Sequence, residues 1–191
     1  MEEKLKQIDH LNPECLKVVL FGPESTGKTS LAKALADHYH TSMVEEYSRS
    51  YAAIKTQNNE ALTKADVLPI AFGQMQLENE GLLNANRVLI CDTDLLETLV
   101  YSKFYYEGYC PDILKKKAFE NHYDLYFLTY IDLPWEADGI RDQPHNRDFL
   151  FEHFLNALKD ANKPYVIIKG TYKERLETCV KHIDNLLKSN S

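Results

Sequence analysis

The run Gly22-Pro23-Glu24-Ser25-Thr26-Gly27-Lys28-Thr29 constrains this chain more than any other segment, because the apolar residues Val18-Val19-Leu20-Phe21 lead directly into it and a helical pattern opens directly behind it. Two glycines at fixed spacing let the backbone curl until several N–H groups face one point. A lysine then brings a positive charge to that point and a threonine hydroxyl follows. Strand, glycine-bearing turn and helix N-terminus, in that order, make a cradle for a phosphate group. A turn that binds nothing needs neither the lysine nor the hydroxyl. The candidate contacts to a nucleotide's phosphates are therefore Gly22, Glu24, Ser25, Thr26, Gly27, Lys28, Thr29 and Ser30, with Lys28 also a catalytic candidate and Thr29 a candidate Mg²⁺ ligand.

With 191 residues, 44% of them hydrophobic, the chain can bury the core of one domain, placed here at 15–191. The polar residues 1–14 read as a flexible arm, separated from the first strand by Asn12-Pro13. No apolar run approaches the roughly 18 residues of a membrane span. The start, Met1-Glu2-Glu3-Lys4, lacks a secretory h-region, so a cytoplasmic location is expected, without a membrane partner. Cys15, Cys91, Cys110 and Cys179 show no Cys-x-x-Cys pairing, which points to free thiols rather than a zinc site or a disulfide framework. A net charge of −7 argues against nucleic acid as a partner and for a small ligand whose charge is met locally.

Apolar runs alternate with helical patterns along the chain, the sign of a parallel sheet with crossover helices. Strands are predicted at Cys15–Phe21, Ser42–Glu45, Arg87–Cys91, Leu125–Tyr130 and Tyr165–Lys169. Helices are predicted at Lys28–His38, about Lys64–Asn84, Asp94–Tyr106, Ile113–His122, Arg147–Ala161 and Tyr172–Lys188. The fold class is therefore α/β, a five-stranded parallel sheet flanked by helices. Thr56-Gln57-Asn58-Asn59-Glu60 interrupts the helical period, which predicts a mobile excursion between Lys55 and Leu68.

Three further segments carry chemistry. The third strand ends in Asp92-Thr93-Asp94: an acid held at the end of a buried strand can orient Mg²⁺ or its waters, the role assigned to Asp92. Asp94 has two readings, a catalytic base touching the acceptor or the cap of the next helix. Behind the fourth strand, Trp135, Asp138, Gly139 and Arg141, followed by Arg147, suit a lid whose guanidinium groups meet a transferring phosphoryl group. The alternative for both arginines is surface ion pairing, and Trp135 reads as an apolar anchor. At the end of the second strand, Glu46, Tyr47 and Arg49 stand where phosphate-loop kinases face their acceptor. There an acid can take the proton of an attacking hydroxyl. Tyr101, Tyr105, Tyr106 and Tyr109 fall at helical spacing and read as packing.

The order GPESTGKT, EYSRSY, LICDTDLLET, YDLYFLTYIDLPWEADGIR and a late Arg147 resembles the ribosylnicotinamide kinase domain of the bacterial NadR proteins, from Lys17 to about Ile183. The resemblance implies a phosphate-loop kinase fold with a lid after the fourth strand. It also implies ATP and Mg²⁺ as cofactors and transfer of phosphate to the ribose 5′-hydroxyl of nicotinamide riboside. By position it implies Lys28 and Thr29 on the phosphates and metal and Glu46, Tyr47 and Arg49 on the acceptor side. Asp92 and Asp94 match its third-strand acids, and Trp135, Asp138, Gly139 and Arg141 match its lid.

The chain departs from that pattern in three ways. It carries no His-x-Gly-His adenylyltransferase motif, Glu45 stands where the family often has a tryptophan, and Glu80 falls by ungapped count where it has an aromatic. Two other functions remain open: a kinase for another nucleoside or small alcohol, and a regulatory nucleotide-dependent ATPase, or switch, with no acceptor.

Overall fold

The computed structural model describes residues 2–8, 15–134 and 146–189. Strands β1 (Leu16–Phe21), β2 (Met43–Val44), β3 (Val88–Asp92), β4 (Leu125–Thr129) and β5 (Tyr165–Ile168) form one sheet in the order β2-β3-β1-β4-β5, every pairing parallel. Every residue of β3 and β4 is buried, and only Lys17 in β1 is partly open. That near-continuous burial is what a sheet covered on both faces requires.

Alternate side chains feed two cores. Val19, Phe21, Leu89, Cys91, Tyr126 and Leu128 point to one face, which is covered by α3 (Val67–Asn84), α4 (Leu95–Tyr105), α5 (Asp112–Glu120) and α6 (Arg147–Asp160). Val18, Leu20, Ile90 and Phe127 point to the other, covered by α1 (Lys28–Tyr39) and α7 (Tyr172–Ser189). The register pairs Leu20 with Asp92 and Phe21 with Leu128, so β1, β3 and β4 end at one level. From β1 the chain travels to the β2 side of the sheet, whereas from β3 it crosses to β4 on the other side. That reversal opens a crevice at the carboxyl ends of β1 and β3, where ligands bind in such sheets.

The predicted strands and helices all occur, within one or two residues at most ends. Two segments differ. Tyr47–Gln57 forms a helix, α2, where none is predicted, because its residues show no clear apolar stripe; Ala52 is its one buried residue. The excursion expected between Lys55 and Leu68 is tied down at Asp66, which accepts from Tyr51 Oη at 2.8 Å, from the Thr63 backbone N–H at 2.8 Å and pairs with Lys55 at 3.2 Å. Thr63 and Asp66 form a reciprocal capping box ahead of α3.

Of the arm expected to be flexible, residues 2–8 are packed. Glu2–Leu5 forms a short 3-10 turn with Leu5 fully buried, and Gln7 donates to Glu78 Oε1 at 2.7 Å. Residues 9–14 lie outside the described residues. All four cysteines are free thiols, as their spacing predicted.

Glu78, on the inner face of α3, also accepts from Tyr123 Oη at 2.6 Å, and burial pushes its carboxyl up to about 7 despite these two donors. An acid whose folded pKa is raised holds its proton longer in the native state. Its contribution to stability is therefore full below about 4.5 and is lost as pH rises through about 7. Glu78→Gln keeps the shape and the bond from Gln7, reverses the other so that its amide donates to Tyr123 Oη, and removes the titration. The variant should show a flatter urea-unfolding stability between pH 4.5 and 7 than the parent, and at pH 8 should exceed it by on the order of 2 kcal/mol.

Candidate active site

β1 runs into a turn that only glycine permits at two points. Gly22 has φ +135°, and a Cβ there would lie 2.6 Å from Thr129 Oγ1. Gly27, at φ +83°, stands at the N-cap of α1 and offers no side chain to occupy the helix's free amides. Between them Thr26 is pinned from behind: its hydroxyl donates to Pro23 O at 2.7 Å and lies 2.6 Å from Thr129 Oγ1. The result is an uncapped helix N-terminus facing a cavity of about 250 Å³. Residues 25–30 form its floor, Glu46 and Arg49 stand on one side, and Leu133, Pro134 and Tyr172 close another.

Lys28 is buried and turned inward. Its ammonium donates to Gly22 O at 2.6 Å and Pro23 O at 3.1 Å and lies 3.3 Å from Glu97 Oε1. Burial opposes its charge, but Glu97, Glu46 and Asp92 outweigh burial and raise its pKa. Glu97, on the first turn of α4, is the counterpart: burial pushes its carboxyl up to about 8 against the pull of Lys28, and neither of its oxygens has a hydrogen-bond partner among the described residues. The sequence reading missed Glu97. Its signal was an acid inside the apolar run Leu95-Leu96-Glu97-Thr98-Leu99-Val100, since acids are buried only when paired.

Thr29 Oγ1 donates to Asp92 Oδ2 at 2.6 Å, which brings together the two residues expected to hold a metal. Asp92 is 1% exposed, its Oδ1 has no hydrogen-bond partner among the described residues, and burial raises its pKa while Lys28 and Thr29 work against that. A buried carboxylate oxygen left without a donor, beside a hydroxyl at a phosphate cradle, fits a hard divalent cation such as Mg²⁺.

Of the two readings of Asp94, the structure shows the cap: the residue is fully buried, its Oδ1 accepts from the Glu97 N–H at 3.1 Å and its Oδ2 from Tyr126 Oη at 2.7 Å. Both oxygens are used on α4 and β4, so Asp94 holds the helix that carries Glu97. Arg147 donates through its guanidinium to Leu133 O at 2.8 Å and Ser25 O at 3.2 Å, bridging two segments that line the cavity. Trp135, Asp138, Gly139 and Arg141 lie outside the described residues.

On the acceptor side Glu46 sits at the start of α2, accepting from Ser48 Oγ at 2.7 Å and lying 3.7 Å from Arg49 Nε. Buried Gln74 of α3 sets that start: its carbonyl accepts from the Tyr47 N–H at 2.8 Å and its amide donates to Glu45 O at 3.2 Å. Gln74 too escaped the sequence reading, although a glutamine on the apolar face of a helix needs partners. Glu45 is exposed, and Glu80 lies on the outer face of α3, bonded to Gln76 at 2.8 Å. Neither lines the cavity, so the two departures from the family pattern fall outside it. Tyr101 stacks on Tyr105 at 5.9 Å and meets Phe154 edge-on, the packing role its spacing predicted.

The sequence model of the AAA domain family matches residues 17–175. The chain belongs to that family. It is 32% identical over 174 residues to the trifunctional NAD biosynthesis/regulator protein NadR of Salmonella typhimurium, covering 89% of this chain and 42% of the relative. It therefore spans less than half the length of that curated relative. Among solved structures, a NadR protein in complex with NR superposes with a TM-score of 0.73 at 24% identity, covering 92% of this chain and 52% of that one. A deoxyadenosine kinase from M. mycoides superposes at 0.63 and 13% identity, covering 90% of this chain and 100% of the other. At these identities the likeness establishes the fold, a phosphate-loop α/β sheet shared with nucleoside kinases.

Gly73 of α3 makes room for the acceptor-side helix: a Cβ there would lie 2.1 Å from the Tyr47 ring. Gly73→Ala should force that ring aside and cost about 1–3 kcal/mol of stability. Thermal and urea unfolding check this, and an unchanged midpoint would mean the ring has a second place to go.

Proposed function

We propose that this chain is an ATP-dependent kinase for a small alcohol, with nicotinamide riboside as the acceptor and its ribose 5′-hydroxyl as the nucleophile. The observation that carries the reading is one cavity lined by the phosphate cradle, Lys28, Thr29 and Glu46, with buried Asp92 bonded to Thr29 directly behind it. A nucleotide-dependent switch has no use for an acid and an arginine lining the phosphate cavity from the segment after the second strand. The nicotinamide riboside assignment is supported by the sequence likeness to NadR and by the NR complex of the NadR protein that shares this fold.

The terminal phosphates of ATP would lie on the amides of residues 25–29, balanced by Lys28. Thr29 and Asp92 would hold Mg²⁺, which neutralises charge building on the phosphates. The acceptor hydroxyl attacks the γ-phosphorus, the bond to the β–γ bridging oxygen breaks, ADP leaves, and Glu46 receives the hydroxyl proton. For this, Lys28 must release Gly22 O and Pro23 O and turn to the phosphate, which exchanges one set of negative partners for another.

Lys28→Ala should lower kcat by about 10²–10³ in a coupled ADP-release assay, with its circular dichroism unchanged. Equal turnover would remove Lys28 from the reaction. A panel of nicotinamide riboside, other nucleosides and simple sugars tests the acceptor: ADP release stimulated by nicotinamide riboside alone is the expected result. Acceptor-independent release would favour the switch, and a different active nucleoside would move the chain to another substrate.

A further inference from the structure

Arg175 carries a charge into the fully buried interior of the protein, yet no step of the reaction uses it. Its Nε donates to Gly170 O at 2.9 Å, one Nη to Thr26 O at 2.9 Å, the other to Tyr130 O at 3.0 Å, and it pairs with the carboxylate of Asp132. Asp132 in turn accepts from the Gly170 N–H at 2.7 Å. One side chain thus joins the phosphate loop, the segment leaving β4 and the loop between β5 and α7. It is presented by the first turn of α7, which Thr171 and Glu174 cap reciprocally at 2.8 Å and 3.4 Å.

The bond to Thr26 O bears on the cradle itself. A trans peptide is planar, so its carbonyl and the next residue's N–H point in opposite directions. Arg147 holds Ser25 O and Arg175 holds Thr26 O, both outside the cradle. The amides on the same two peptide units, those of Thr26 and Gly27, are thereby turned the other way, and both residues line the cavity.

We propose that Arg175 is a positioning residue for nucleotide binding, which holds the Thr26 carbonyl behind the loop so that the Gly27 amide faces the phosphate and which couples that aim, through Asp132, to the two segments bordering the cavity. This rests on the nucleotide-binding reading above. A guanidinium suits the task because its planar fork of five donors can satisfy several carbonyls at once and never loses its charge; a lysine ammonium cannot span them.

The test measures ADP affinity by calorimetry and the Gly27 amide by ¹H–¹⁵N NMR in the parent, Arg175→Lys and Asp132→Asn. In the parent, ADP should move the Gly27 amide proton downfield. Arg175→Lys should weaken ADP binding about tenfold or more and abolish that shift, as expected for the loss of charge-assisted hydrogen bonds. Asp132→Asn, which leaves the guanidinium in place but unpaired, should weaken ADP binding in the same direction and keep part of the shift. A folded Arg175→Lys with affinity within about twofold of the parent and a normal Gly27 shift would overturn the proposal. If Arg175→Lys does not fold, Asp132→Asn decides it: parent-like affinity and shift overturn the proposal, and weakened affinity with a diminished shift supports it. Failure of the parent itself to bind ADP would instead overturn the nucleotide-binding reading, and with it this one.

Discussion

Three parallel strands that stop at the same level decide where everything else falls. Because β1, β3 and β4 share a register, the turn after Phe21 meets Asp92 on one side and Thr129 on the other. Gly22 must pass Thr129 with no room for a Cβ, and the hydroxyls of Thr129 and Thr26 lock together behind the loop. Hydrogen-bond geometry helps make the loop a cradle: the Ser25 and Thr26 carbonyls are held by two arginines, which turns the Thr26 and Gly27 amides the other way.

Charge is then balanced within that frame. Lys28 sits among Glu97, Glu46 and Asp92, where low dielectric strengthens both the attraction to Lys28 and the repulsion between the acids. The raised pKa values of Glu97 and Asp92 express that crowding, led by burial. Asp94, one turn away, performs a mechanical task instead, spending both oxygens on α4 and β4.

Much of this was legible along the chain. The strands read clearly because both faces of the sheet are covered and β-branched or large apolar runs follow from that. The cradle read clearly because glycine, lysine and threonine have few other reasons to share that spacing. The helix α2 did not, since one buried alanine leaves no periodic stripe to detect. Arg175 had a faint signal: it heads a stripe with Cys179, Ile183 and Leu187 at steps of four, so the pattern marked it as inward-facing. The docking of residues 2–8 had none, because it rests on Gln7 meeting Glu78 and His122, far apart in sequence.

The sequence by itself determined the α/β class, the phosphate loop and the pairing of that loop with an acid at the end of β3, because each follows from local spacing and from periodic burial. Only the tertiary structure decided which carboxylates meet Lys28, that Asp94 also binds Tyr126, and that Arg147 and Arg175 grip the loop. Those contacts join residues tens to more than a hundred positions apart, and no local pattern encodes a partner that the chain reaches only when the sheet has closed.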